Sequence, residues 1–342
     1  MNENGFRRFL KRIMVKEADL SQNIEIVREV ETFLRNTGEK IDVSQLRIEE
    51  LRNVIQYLFE NGKNSWNNLL ALLRYSRFTG NREIEIALLE LLDGSDVLNN
   101  LSSKVKKIVG EKRHREIFEG IEFPSLGTFS IDKPKITKKV MERLEAKLGE
   151  VGCRQVLLSG PHATSKKAYV QERKAFAKSK GIDDFLRKRH NEYIDELERH
   201  LEQKTLYFTQ EIDEQVLDYV RNTPSCQNGI REGSVLYVTK IPYMAKRYLN
   251  EKDPKMKRYY YCHCPWVREA IRLGIEISPN FCYCSVGFEK RPWDVIFNQS
   301  VKADLMETVL KGDLICRFAI HIPEKYLKSN KSDGNREGDA GN

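Results

Sequence analysis

The chain lacks any long apolar run. Nothing in it approaches the roughly 20 consecutive apolar residues that a membrane-spanning helix requires, and mean hydropathy is -0.56. The N-terminal stretch MNENGFRRFLKRIM has no apolar h-region, so no secretory signal is expected and the protein is read as cytoplasmic, without a membrane partner. Glycine (20) and proline (10) are too sparse among 342 residues for a collagen-like or low-complexity chain. P-loop, GxGxxG, HExxH, GxSxG and EF-hand patterns are missing as well. Nucleotide hydrolysis, Rossmann-type redox chemistry and zincin proteolysis therefore have no support.

What is present is a charge-rich composition of soluble, globular type. Charged residues make up 32% and hydrophobic residues 40%. The length exceeds that of one compact core and points to two or three domains. Lys and Arg number 58 against 50 Asp and Glu. Basic runs such as Lys112-Arg113-His114-Arg115 and Arg187-Lys188-Arg189-His190 have acids close by and read as solvated helix faces, so nucleic acid is not an expected partner.

The first third has helical periodicity. Apolar residues from Leu46 to Phe59 form a broad stripe, Asn61-Gly62 is a stop, and Ser65 is an N-cap signal. Two further helical patterns run over 66–78 and 82–92. These predict a helical bundle over 1–118, followed by a helical connecting region over 119–205 that opens on a loop holding Pro124, Gly127 and Pro134. From about 206 the texture changes. SVLYVTKI (234–241) and RYYYCHC (258–264) read as strands, with Trp266–Leu273 as a helix opened by Pro265. FCYC (281–284) reads as a short strand or loop. Segments 301–310 and 314–322 read as a hairpin turning at Lys311-Gly312-Asp313. The expected fold class is α+β: a helical N-terminal half, then a C-terminal domain over 206–326 with an antiparallel sheet and packed helices. The polar tail over 327–342 is expected to be disordered.

Cysteine carries the most information. Of seven, five come late: Cys262, Cys264, Cys282, Cys284 and Cys316. An odd count without a secretion signal argues against a disulfide framework. Three readings stay open: a metal site, buried unliganded thiols, or a redox or nucleophilic thiol. Residues two apart in a strand share a face, so Cys262 pairs with Cys264, and Cys282 with Cys284, while His263 points away. In the last strand Cys316, Phe318, Ile320 and Ile322 share the buried face, opposite Arg317 and His321. A two-residue turn at Lys311-Gly312 puts Glu307 opposite Cys316, with Cβ atoms about 5 Å apart. A carboxylate beside a thiol on an apolar face calls for a divalent metal, a basic partner or a proton.

Aromatic residues crowd the same region, and Tyr260, Trp266 and Trp293 are candidate walls of a small-molecule pocket. Lys240, Arg258 and Arg268 are candidate anchors for a carboxylate or phosphate.

Cys284-Ser-Val-Gly-Phe288, Glu307 and Gly312-Asp313-x-x-Cys316-x-Phe318 resemble the vinyl-reductase-type ligand-binding domain, which also serves as the sensory module of phenol-responsive activators. The resemblance implies a structural zinc beside a small-molecule pocket, with Cys284, Glu307 and Cys316 as ligands. Leu310 stands where that pattern has a further Cys. The fourth ligand would come from Cys282, or from Cys262, Cys264 or His263. The Gly-Asp-x-x-Cys-x-Phe ending is also similar to the aminothiazoline-carboxylate hydrolase group. More widely, the motifs from Gly110 to Pro323 resemble an uncharacterised bacterial family with a helical front half and a Cys-rich C-terminal half. The expectation is a small-molecule-binding protein, sensor or carrier, with structural zinc. The alternative is a hydrolase of a small carbon–nitrogen or thiazoline-like substrate, acting through metal-bound water or a Cys thiolate. A homodimer is left open.

Overall fold

The computed structural model describes residues 1–37, 43–162 and 165–327. They divide into two compact units, one of 1–95 with 122–134, the other of 96–121 with the residues from 135 onward. The expected disordered tail, apart from Leu327, falls outside the described residues.

The first unit is helical: α1 (Glu3–Arg12), α2 (Glu17–Asn36), α3 (Ile48–Glu60), α4 (Trp66–Thr79) and α5 (Arg82–Leu92). Local chemistry sets the ends. Ser65 accepts the Asn68 N–H at the start of α4, and Gly80 ends it with φ +77°. Asn81 then caps α5 through the Ile84 N–H. The apolar stripes of α1 to α5 meet in one core that includes Phe6, Leu51, Leu72 and Leu88. Tyr75 is buried in it. Arg74 hydrogen-bonds Asn23, and Arg77 pairs with Glu85, so these three residues serve packing and helix pairing.

The second unit begins with α6 (Val97–Phe118) and α7 (Pro134–Leu158), each interrupted by a glycine in the left-handed region, Gly110 and Gly149. Then come α8 (Val170–Ala177), α9 (Ile182–Gln203), a small ribbon β1 (Leu206–Tyr207) and β2 (Gln210–Glu211), and α10 (Glu214–Arg221). The C-terminal part holds β3 (Ile230–Glu232), β4 (Val235–Thr239), α11 (Ala245–Asn250), α12 (Pro254–Tyr261), α13 (Arg268–Leu273), α14 (Tyr283–Ile296), β5 (Ala303–Glu307) and β6 (Arg317–His321). The fold is α+β, with an antiparallel four-stranded sheet ordered β3-β4-β6-β5. Among the described residues no helix is long and apolar enough to cross a membrane.

One face of this sheet is covered by α14 and by the start of α9. Leu236, Val238, Leu305, Phe318 and Ile320 pack against Val286, Trp293, Ile296 and Phe185. The alternation read for the last strand holds: Phe318, Ile320 and Ile322 are core, while Arg317 lies over the Tyr237 ring and His321 bonds Asp304.

Two segments differ from the strand reading. RYYYCHC is not a strand. Asp253 caps the Met256 N–H and Pro254 occupies the first helical turn, so α12 runs to Tyr261 before Cys262 leaves the helix. The aromatic run looked β-like, but the Asp-Pro start decides. FCYC is likewise the last turn of a 3-10 helix over Pro279–Cys282 running into α14.

Gly287 is a site of close backbone approach. A Cβ there would lie 2.6 Å from the Leu158 carbonyl oxygen and 3.2 Å from Gly160 Cα, both backbone atoms that cannot swing aside. The Gly-aromatic pair in the sequence is therefore a close-approach site between α14 and the end of α7. Gly287→Ala is expected to destabilise the chain by about 1–3 kcal/mol. Chemical denaturation of wild type and variant checks this, and an unchanged midpoint would contradict the packing described.

Candidate functional site

The hairpin is built as expected in its body and not at its end. The register counted from a Lys311-Gly312 turn puts Leu305 opposite Phe318 and Ala303 opposite Ile320, and both pairs form. Beyond Leu305 a bulge intervenes, and Glu307 pairs with Arg317 instead of Cys316. An extra residue in one strand shifts the facing of everything after it. Glu307 thus leaves the apolar face: its side chain is 38% exposed and stands 3.9 Å from Arg317 Nη1. The expected Glu307–Cys316 contact is corrected accordingly, and of the three partners considered for the acid, the basic one is present.

Thr308 takes the buried position. Fully buried, it donates its hydroxyl to Cys282 Sγ at 2.9 Å, with Cys316 Sγ 3.9 Å away. Its N–H bonds Asp313 at 2.8 Å and its carbonyl accepts from Lys311, which closes the loop. Gly312 sits at φ +108°, where a side chain is strained.

Tyr261 is a second junction. Its hydroxyl donates to the Lys240 carbonyl at 2.9 Å, lies 3.3 Å from the Cys316 carbonyl and accepts the Lys240 N–H at 3.2 Å. One phenol thereby ties the end of α12 to the end of β4 and to the approach of β6. His263 reaches back to the Ile241 carbonyl. Burial, with Lys240 nearby, holds its imidazole down at about 3, so it is neutral at physiological pH.

The five late cysteines are free thiols that form one linked neighbourhood. Burial pushes the Cys282 thiol well above its ordinary value, and Cys316, Cys262 and Cys264 act in the same direction. Burial likewise raises Cys262, beside Cys264 and Cys316, and Cys284, beside Cys264. Cys316 is raised by burial, against a backbone hydrogen bond from Val309 and the nearby Lys240 ammonium. Lys240 Nζ lies 3.4 Å from Glu289 on α14, between the Phe288 and Phe318 rings. Burial alone would lower this ammonium, yet Glu289, Cys316 and Cys264 outweigh it and hold it above the ordinary lysine range.

These donors are chemically suited to a soft divalent ion. Their arrangement is not that of a formed centre: among the described residues no group of three or more His, Cys, Asp and Glu stands ready to hold a metal. Cys262, Cys282, Cys284 and Cys316 are also poor nucleophiles at rest, because a burial-raised thiol stays protonated.

A cleft of about 700 Å³ opens beside this neighbourhood. Its wall residues Arg258, Pro279 and Val309 sit three or four residues, or fewer, from Cys262, Cys282 and Thr308. Of the expected ligand anchors, Arg258 lines the cleft and donates to the Val309 carbonyl at 3.2 Å. Lys240 is inside the thiol neighbourhood. Arg268 is buried over the Tyr243 ring, and Tyr260 lies on α12 beside Arg247. Trp266 and Trp293 are core residues at 2% exposure. Thr308, Glu289 and the cleft residue Glu145 were not singled out in the sequence. Thr308 had a usable signal, being next to Glu307 before a tight turn, whereas Glu145 lies more than 100 residues away with none.

Alkylation reads out the burial directly. At pH 8, iodoacetamide is expected to leave Cys262 and Cys284 unmodified in the folded chain and to label them once guanidinium unfolds it. Full labelling of Cys262 or Cys284 in the native chain would contradict their burial.

Residues 202–327 match the model of a family of unknown function (DUF6144), a stretch that holds every strand of the sheet and all five late cysteines. No curated protein and no solved structure matches the chain.

Proposed function

We propose that the chain binds a small molecule in the cleft bounded by α7, α12, the 274–279 loop and the Val309–Leu310 turn, as a sensor or carrier rather than as a catalyst. One observation carries this reading: the cleft walls are continuous with the segments that the buried thiols, Thr308 and Tyr261 join. A concave site whose walls are fixed from behind binds without first ordering its own walls, which preserves affinity. The resemblance to vinyl-reductase-type ligand-binding domains points the same way. In this reading the thiols have a structural role, as neutral packing groups at the same junction, and Glu307 pairs with Arg317. The hydrolase reading gains nothing from thiols that burial keeps protonated.

A thermal-shift survey of small polar metabolites tests the proposal. At least one compound is expected to raise the melting temperature of wild type and to leave Leu310→Trp, which adds bulk at a partly exposed position of the cleft wall, unshifted. Compounds that shift both proteins equally would contradict the cleft as the site.

A further inference from the structure

The charges around the cleft are segregated. Lys138 and Glu142 answer each other one turn apart on α7, at 3.9 Å. The remaining charges do not pair. Lys255 and Arg258, three residues apart and so on one face of α12, have no carboxylate within ion-pair distance among the described residues. Glu145 on α7 and Glu276 in the following loop have no base within that distance among the described residues. Glu145 is instead held in place by neutral donors, the Ser278 hydroxyl and the Asn280 amide at 2.6 Å. Its carboxylate is thus oriented with no cation beside it. Met141, Ile271, Ile277 and Val309 back the same walls and are buried behind them.

A cleft with two cations on α12 and two anions on α7 and the 274–279 loop matches a ligand that carries both charges at separate ends. From this we infer that the cleft takes a short zwitterion of di- or tripeptide type, its carboxylate toward Arg258 and Lys255 and its ammonium toward Glu145 and Glu276. A single small amino acid would leave most of a 700 Å³ space unfilled. A simple fatty acid or amine would leave one charged side unanswered. This assignment rests on the small-molecule reading above and specifies its ligand.

Isothermal titration of the full chain with L-leucyl-L-leucine tests it, alongside the N-acetylated dipeptide, which lacks the ammonium, and the dipeptide amide, which lacks the carboxylate. The free dipeptide is expected to bind, and each blocked form to bind about tenfold or more weakly, as loss of a charge-assisted contact requires. Glu145→Gln is expected to weaken the free dipeptide but not the acetylated one. Lys255→Met, at an exposed position that does not disturb the Arg258–Val309 bond, is expected to weaken the free dipeptide but not the amide. Equal binding of free and blocked forms, lost in Leu310→Trp, would overturn the zwitterion and keep the cleft. No heat from any of the three peptides would overturn the zwitterion as well. The small-molecule reading itself falls only if the broader survey also finds nothing that Leu310→Trp abolishes.

Discussion

Two hydroxyl groups hold the C-terminal unit together where its segments meet. Tyr261 joins the end of α12 to the end of β4 and the approach of β6, and Thr308 joins the hairpin to the start of α14 through Cys282. Strands β4 and β6 are paired up to Thr239–Arg317, but α12 and the start of α14 share no ladder with them. The buried polar groups must still be satisfied, and each lost partner leaves a desolvated group costing on the order of 1–3 kcal/mol. The junction is therefore specific as well as stabilising. It sets where the Val309–Leu310 turn stands against Arg258, and so sets one side of the cleft.

The thiols around this junction fill space that a hydrophobe would otherwise fill, and burial keeps them protonated. That makes the neighbourhood tolerable without a cation. A buried carboxylate in the same place would not be, and the bulge after Leu305 removes the one candidate by turning Glu307 to Arg317. In the buried Lys240–Glu289 pair each member answers the other. The chemistry of the locus is that of a clamp.

Much of the fold was legible in the sequence. The helices of the first unit follow from their apolar stripes and from caps such as Ser65 and Asn81. Strand β4, the facing of Phe318 and Ile320 and the pairing of Leu305 with Phe318 follow from alternation and from the turn. The misses have physical causes. In RYYYCHC the β-propensity of three tyrosines is local, and the Asp253-Pro254 start and the docking of Tyr261 override it. The bulge depends on how Thr308 and Asp313 close the loop, which no pairwise count from a turn can foresee. The gathering of the late cysteines was anticipated, but their faces were not, because two of the supposed strand segments are helical turns. Glu145 reaches the cleft only through tertiary packing of α7 against the loop that follows α13.

Hydrogen exchange followed by mass spectrometry tests the junction most directly. If Tyr261, Thr308 and the thiols fasten three segments to one another, peptides covering 258–264, 280–286 and 307–317 should open together, with one common free energy and a shared cooperative transition at alkaline pH. Exchange of 307–317 at the rate of a loose loop, while the other two peptides stay protected, would contradict the account.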